Sequence, residues 1–438
     1  MWFNRRFRLL VVLLSGALWS VVSLAAPNFD IPPGLSVAAA AQQKYSQTLL
    51  QTEDVAGHGL AVDNSGQGII VVFSTSPTTK GMPQSLDGVT VKAVYSGAFY
   101  AFAPPTCGGP PEQRPAECFA EPEPSIDPSA RFPRPVPIGV STGHPAITAG
   151  TIGARVTDGT YVYALSNNHV FANSNDTTVP ENILQPGPYD GGVENGDTYA
   201  TLVDYEPILF DGSANIMDAA LALSDAGSLS TSTPSDGYGT PSQSVVSASP
   251  DLAVKKYGRT TGFTQGSVNA INATVNVCYE GTISCTKLAT FVGQVVITPG
   301  TFSAGGDSGS LIVTQNGNNP VALLFAGSSN YTIGSPIGPV LSRFAVSIDA
   351  QAAPPPPSNE FALTTSGYKV KGLHNIDLSW IGSEASAFDV KIDGVEIATG
   401  ISGNSYTDST NNKGAGSYTY QVCEASSSLC SNTSTVNF

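Results

Sequence analysis

Charge is what this sequence has least of. Only 12% of its 438 residues are Asp, Glu, Lys or Arg, and the 19 basic residues are outnumbered by 34 acidic ones, for a formal net charge of −15. No basic stripe interrupts that excess, which excludes electrostatic steering toward nucleic acid or anionic lipid. Histidine is scarce too, with four in the chain. No HExxH, CxxC or Cys/His ligand spacing occurs, so no metal and no cofactor is assigned. Long helical periodicity is rare, which excludes a bundle or coiled coil.

What is abundant is glycine (45), proline (32) and apolar residues (41%), the composition of a globular, turn-rich β protein. The N-terminus carries Arg5, Arg6 and Arg8, an apolar run from Leu9 to Leu24, and small residues at Ser23, Ala25 and Ala26. These are the three parts of a secretory signal peptide, and cleavage after Ala25 is expected. An uncleaved anchor is the alternative, disfavoured because the run falls short of the ~20 residues a span prefers. A secreted or periplasmic protein, free of the membrane once the signal is removed, follows. The six cysteines fall as close pairs, Cys107 and Cys118, Cys278 and Cys285, Cys423 and Cys430. In an exported chain this suggests disulfides, and nearest-neighbour pairing would staple three surface loops, but spacing does not choose the connectivity.

Six segments follow from composition. Residues 1–25 are the signal. Residues 26–103 form a small α+β region and a candidate pro-region, with a helix expected over 36–52 and strands in Ile69–Phe73 and Val89–Tyr95. Residues 104–135 are a Pro-rich linker. Residues 136–350 break into many short β runs separated by Gly, Asn, Asp and Pro, as in antiparallel barrels. Residues 351–358 are a Pro-rich spacer. Residues 359–438 carry strands at sandwich spacing, with Trp380, Tyr418 and Tyr420 as core aromatics.

The strongest chemical signal is Gly305-Gly306-Asp307-Ser308-Gly309-Ser310, followed by the β run Leu311-Ile312-Val313. A nucleophilic serine needs a sharp turn of small residues, so that its hydroxyl is exposed and backbone N–H groups converge on one point. An ordinary Gly-rich hairpin loop is the bland alternative. The hydroxyl needs a base, and among four histidines His169 is preferred. It follows the β run Tyr161–Leu165 in Ser166-Asn167-Asn168-His169, where a strand yields to a polar loop. His58, His144 and His374 read as surface or turn histidines. A third group, a buried carboxylate, should orient the imidazole. Asp218 opens the apolar run Asp218-Ala219-Ala220-Leu221 and fits best. Asp204 is its rival, whereas Asp190, Asp197 and Asp211 lie beside glycine and read as solvated turn residues.

The order His169, Asp218, Ser308 resembles that of the trypsin and chymotrypsin-like serine proteases, over about Val136 to Ile348. The Gly-Asp-Ser-Gly turn and the Asp-Ala-Ala-Leu run resemble that family's nucleophile and aspartate motifs. The resemblance implies a mainly β chain whose central domain is a double six-stranded antiparallel β-barrel. In it, Ser308 would be the nucleophile, His169 the general base and Asp218 its orienting partner. The N–H groups of Gly306 and Ser308 would form an oxyanion hole, and Phe302 would line the base of the primary pocket. A protein or peptide substrate, cut beside small or apolar side chains, is then expected. Asn167-Asn168-His169-Val170 departs from the animal digestive branch and is nearer to bacterial relatives. The usual Ile-Val-Gly-Gly start is missing, with only Ile138-Gly139-Val140 near the barrel entrance. Activation by a freed N-terminus pairing with Asp307 is therefore not expected. The last domain resembles fibronectin type III and would bind a surface or substrate. Two alternatives stay open: a non-catalytic binding or adhesion protein on the same fold, and an esterase using the same triad.

Overall fold

The computed structural model describes residues 31–78, 81–101, 126–281, 284–350, 361–383, 385–425, 427 and 429–438. The signal segment 1–25, the Cys107/Cys118 pair, residues 104–125 of the linker and the spacer 351–358 lie outside the described residues. The chain is mainly β and divides into two compact units, Met1–Asp349 and Ala350–Phe438. Among the described residues no helix is long and apolar enough to cross a membrane.

The expected N-terminal helix runs over Ser36–Leu50 and buries Ala38, Ala41 and Leu49 at helical spacing. It packs on the strands Val55–Val62 and Gly68–Ser74. The second of these pairs in parallel with Val89–Tyr95. These strands do not form a sheet of their own. Val55–Val62 pairs antiparallel with Gly262–Glu280, so residues 55–95 extend a 12-stranded sheet built largely from the second half of the unit. Within that sheet the antiparallel pairings pass from Gly262–Glu280 to Ala253–Gly258, Leu311–Thr314, Pro320–Gly327, Thr332–Pro336 and Lys287–Thr298, then return to Gly262–Glu280.

Gly262–Glu280, at 19 residues, is long enough to serve both the ring of pairings and the N-terminal extension. Its register against both Lys287–Thr298 and Val55–Val62 shifts near Asn272, which sits at φ 48°. Asparagine tolerates that left-handed conformation better than most residues. A second sheet of six strands runs in the order Glu181–Leu184, Thr198–Tyr205, Ala220–Ser224, Val162–Ser166, Ala154–Thr157, Ser347–Ile348.

His58 is not a surface residue: it is 1% exposed. Its two ring nitrogens meet Gln42 Nε2 at 3.0 Å and Ser46 Oγ at 2.9 Å, and Gln42 also donates to the Asn272 carbonyl. This polar cluster ties the helix to the bulge in the long strand. Burial pushes the His58 pKa down to about 4, below the ~6.5 of an unfolded chain. Between those values the unfolded chain takes up a proton that the folded one refuses. Stability is therefore full above pH ~6.5 and falls as the pH drops toward 4, by roughly 3 kcal/mol in all. His58→Gln should remove that part of the pH slope in denaturant midpoints measured from pH 7 to 4. An unchanged slope in the variant would show that His58 does not carry it.

His144 and His374 are also buried rather than exposed. His144 Nε2 lies 2.9 Å from Glu181 Oε2, whose carboxyl is held down to about 2 chiefly by that partner. His374, in the second unit, stacks on Phe438 and bonds Tyr418 and the Gly414 carbonyl. Local sequence suggested turns because these partners are distant in the chain.

The second unit has a three-stranded sheet, in the order Ala362–Val370, Leu373–Ile381, Ser405–Ser409, and a four-stranded one, in the order Val395–Ile401, Phe388–Ile392, Ser417–Glu424, Ser434–Asn437. Alternation along Leu373–Ile381 turns Ile376, Leu378 and Trp380 into a core shared with Phe388, Val390, Tyr420 and Val422 of the other sheet. Disulfides join Cys278 to Cys285 and Cys423 to Cys430.

Candidate active site

The strand Val162–Ser166 ends in Asn167 and a four-residue helix, Asn168–Phe171, that carries His169. Both asparagines are wholly buried. Asn167 Nδ2 donates to the Asp218 carbonyl at 2.8 Å and Asn168 Nδ2 to the Glu206 carbonyl at 2.7 Å. The polar run before the histidine is thus internal bracing. Ala220 pairs with Ser166, and that antiparallel register carries Asp218 alongside the residues around His169.

Asp218 is 0% exposed. Its Oδ2 lies 2.6 Å from His169 Nδ1, and its Oδ1 accepts the His169 backbone N–H at 3.2 Å. A carboxylate is an acceptor only, so the ring proton belongs on Nδ1 and a lone pair is left on Nε2. That Nε2 is buried and has no hydrogen-bond partner. Asp218 Oδ2 also accepts the Tyr279 hydroxyl at 2.7 Å, and the Tyr279 ring meets His169 edge-on at 5.9 Å. No motif in the sequence pointed to Tyr279.

Ser308 occupies the turn between Phe302 and Leu311, with 1% exposure. Its Oγ donates to the Phe325 carbonyl at 3.4 Å, and its carbonyl accepts the Thr151 N–H at 2.7 Å. A Cβ on Gly150 would stand 2.5 Å from Val170 Cγ2 and 3.0 Å from the Ser308 carbonyl. The residue after His169 and the serine turn therefore close on the same glycine. Gly306 takes φ 93°, a conformation that favours glycine, and its carbonyl accepts Thr151 Oγ1 at 2.9 Å. Among the described residues no acceptor meets the N–H of Gly306 or of Ser308.

Asp307, 0% exposed, is saturated from within the chain. It accepts the N–H groups of Thr260 (2.8 Å), Thr261 (3.2 Å) and Ala304 (2.9 Å) and the Thr261 hydroxyl (2.7 Å), with Lys256 Nζ 3.4 Å away. Lys256 is equally buried, and burial lowers its pKa against the pull of Asp307. An internal lysine holds the place that a freed amine takes in the activation scheme considered above. Ile138 and Val140 are fully buried, and the Ile138 N–H bonds the Ser232 carbonyl.

The remaining acids are elsewhere. Asp204 is part-exposed and pairs with Arg343 at 2.9 Å. Asp190 and Asp197 are not solvated turn residues. Asp190 forms a buried pair with Arg259, and Asp197 takes both Arg131 Nε and Nη2. Phe302 is 0% exposed and packs among Val268, Ile297 and Ile312, so its ring offers no accessible face. Among the described residues no group of three or more His, Cys, Asp or Glu side chains could hold a metal ion.

No protein-family model matches the chain, and no curated protein does. The solved structures that match include bacterial trypsin/chymotrypsin-like serine proteases. One is a glutamic acid specific serine protease that uses a histidine triad in substrate binding, at 22% identity over 49% of this chain and 100% of that one, TM-score 0.36. Others are the chymotrypsin of Cellulomonas bogoriensis (18%, 49% and 99%, TM-score 0.34) and protease A of Thermobifida fusca (17%, 49% and 97%, TM-score 0.35).

Proposed function

We propose that this chain is a secreted serine endopeptidase that cleaves peptide bonds through Ser308, His169 and Asp218. The observation that carries this reading is the His169–Asp218 pair, which leaves a buried, partnerless Nε2, while Val170 beside His169 and the carbonyl of the buried Ser308 close on one glycine, Gly150. Hydrogen bonds between nucleophile and base often tighten only when substrate is bound, so the Ser308 contact with the Phe325 carbonyl is read as the resting one. In the reaction, Ser308 Oγ attacks the scissile carbonyl as its proton passes to His169 Nε2. The Gly306 and Ser308 N–H groups take the oxyanion, and Asp218 stabilises the imidazolium. Collapse of the tetrahedral adduct releases the amine, which takes the proton from His169. Water, activated in turn by His169, then hydrolyses the acyl-enzyme.

In this reading the ring of six pairings is the second of two six-stranded barrels, and the sheet bearing His169 and Asp218 belongs to the first. Residues 26–103 are a pro-region. Phe99–Ala101 runs antiparallel to the 320–327 strand, with Ala101 opposite Ala326 and Tyr100 opposite Gly327. It thereby covers the edge that follows Phe325, the partner of Ser308. An extended peptide substrate would need that edge. The second unit, with its three- and four-stranded sheets, is read as a fibronectin type III-like domain that binds a surface or substrate. The two disulfides agree with an exported protein.

The test is labelling of the secreted protein with a fluorophosphonate and mapping of the modified residue. Label on Ser308 is the expected result. Material cleaved between 101 and 126 should hydrolyse peptides faster than intact chain. No label on either form would overturn the hydrolase reading, and full activity of the uncut chain would overturn the pro-region.

A further inference from the structure

Tyr279 lies one residue from the end of Gly262–Glu280, where the backbone is held on both sides in the uncut chain and by the 287–298 strand and the disulfide once residues 26–103 are removed. Cys278 pairs with Leu288 of the 287–298 strand and with Tyr100 of Phe99–Ala101, and its disulfide to Cys285 closes the hairpin. The side chain is held as well. Its ring meets Phe210 edge-on at 5.3 Å, stacks with Phe291 at 6.2 Å and 25°, and presents its edge to His169. A phenol fixed in this way has little rotational freedom, and its hydroxyl ends 2.7 Å from Asp218 Oδ2.

A wholly buried carboxylate needs more than one donor to stay ionised. Asp218 has three from two residues: the His169 backbone N–H on Oδ1, and His169 Nδ1 together with the Tyr279 hydroxyl on Oδ2. Among the described residues Asp218 and Tyr279 are the only ionisable side chains in hydrogen-bond or ring contact with His169. Burial and the adjoining Asp218 raise the Tyr279 pKa well above its ordinary value, so the phenol remains a proton donor over the range in which a histidine base works.

We propose that Tyr279 is a positioning residue of the hydrolysis reaction, its hydroxyl sharing one oxygen of Asp218 with His169 and so setting both the orientation of the carboxylate and its pull on the imidazole. The proposal rests on the serine protease reading for its kinetic consequence, though not for the contact itself. The sign of the effect follows from charge. A donor on Oδ2 disperses the negative charge that His169 sees. Without it the carboxylate attracts the imidazolium more strongly, the proton is held on Nε2 to higher pH, and the base is available over a narrower range. The carboxylate also loses one of the contacts that fix its plane, which costs rate at the step where the imidazolium forms.

The test is Tyr279→Phe in the secreted protein, which keeps the ring packing and deletes only the oxygen. The acid limb of the kcat/KM profile should move up by about half a pH unit. The value of kcat should fall by about tenfold with KM unchanged. The low-field proton NMR resonance of the hydrogen between His169 Nδ1 and Asp218 should shift as well. That resonance needs no turnover, so it tests the contact even if the wild type fails to label at Ser308 and the protease reading falls. A fluorotyrosine at 279, a stronger donor of nearly the same shape, should move the limb and the resonance the opposite way, and it decides the matter if the phenylalanine variant does not fold. A folded Tyr279→Phe protein with unchanged resonance and an unchanged acid limb would overturn the proposal, and so would a mere loss of thermal stability.

Discussion

Ser308→Ala is expected to lower kcat for peptide hydrolysis by about a million-fold, and His169→Ala by about as much, while the double variant loses little more. In the proposed mechanism the three side chains would act as one unit, so removing either the nucleophile or its base would remove the same pathway. The residual rate would come from binding and from the two free N–H groups at Gly306 and Ser308, which neither substitution touches. Both positions are placed by backbone contacts: Ser308 through its carbonyl on Thr151, and His169 through its N–H on Asp218. Alanine should therefore leave the fold intact, and a wild-type melting temperature accompanies the expected loss. Progress curves on a chromogenic peptide settle it. Two single variants each within tenfold of wild type would exclude the triad, and additive losses would exclude its action as a unit.

The second large effect concerns stability. Among the described residues Lys256 is the only cation in an ion pair with Asp307, both side chains being 0% exposed, and Lys256→Met removes it. Breaking a buried pair by deleting one partner leaves an uncompensated charge and typically costs about 3–5 kcal/mol. Lys256 also donates to the Thr261 hydroxyl and to the Gly262 carbonyl at 3.0 Å, and these bonds are lost with it. Because Asp307 holds the N–H of Ala304 and so shapes the turn before Ser308, labelling of Ser308 should slow as stability falls. Adding Asp307→Asn removes the stranded charge and keeps an acceptor for the Thr260 and Thr261 N–H groups, at the loss of the oxygen that took the Ala304 N–H. The double variant should therefore be more stable than Lys256→Met alone. Denaturant titration of the three proteins gives the comparison, and a Lys256→Met midpoint equal to wild type would show that the pair contributes nothing.

Much of the secondary structure could be read locally. The Ser36–Leu50 helix and the strands at 68–74, 89–95, 162–166 and 311–314 stand where apolar spacing placed them. Site candidates were few because the chain has so few histidines and a single Gly-Asp-Ser-Gly turn. Several polar residues were misread for one shared reason. His58, His144, His374, Asp190 and Asp197 read as surface or turn residues, yet each is buried against partners outside its local window, from 12 residues away for His58 to 69 for Asp190. A local window shows the turn and not the partner.

By itself, the sequence determined the alternation that makes strands, the small-residue turn around Ser308 and the short list of bases that could serve it, because backbone conformation and side-chain chemistry are properties of neighbouring residues. Tertiary structure alone decided which strands pair, that residues 55–62 and 99–101 join the long 262–280 strand, that Lys256 neutralises Asp307, and that Tyr279 reaches Asp218 across 61 residues. A period of two states which face of a strand is buried, and nothing in it names the strand that will lie alongside. Those choices follow from the burial of one shared core and from the need of every buried charge for a donor, and both are satisfied only when distant segments meet.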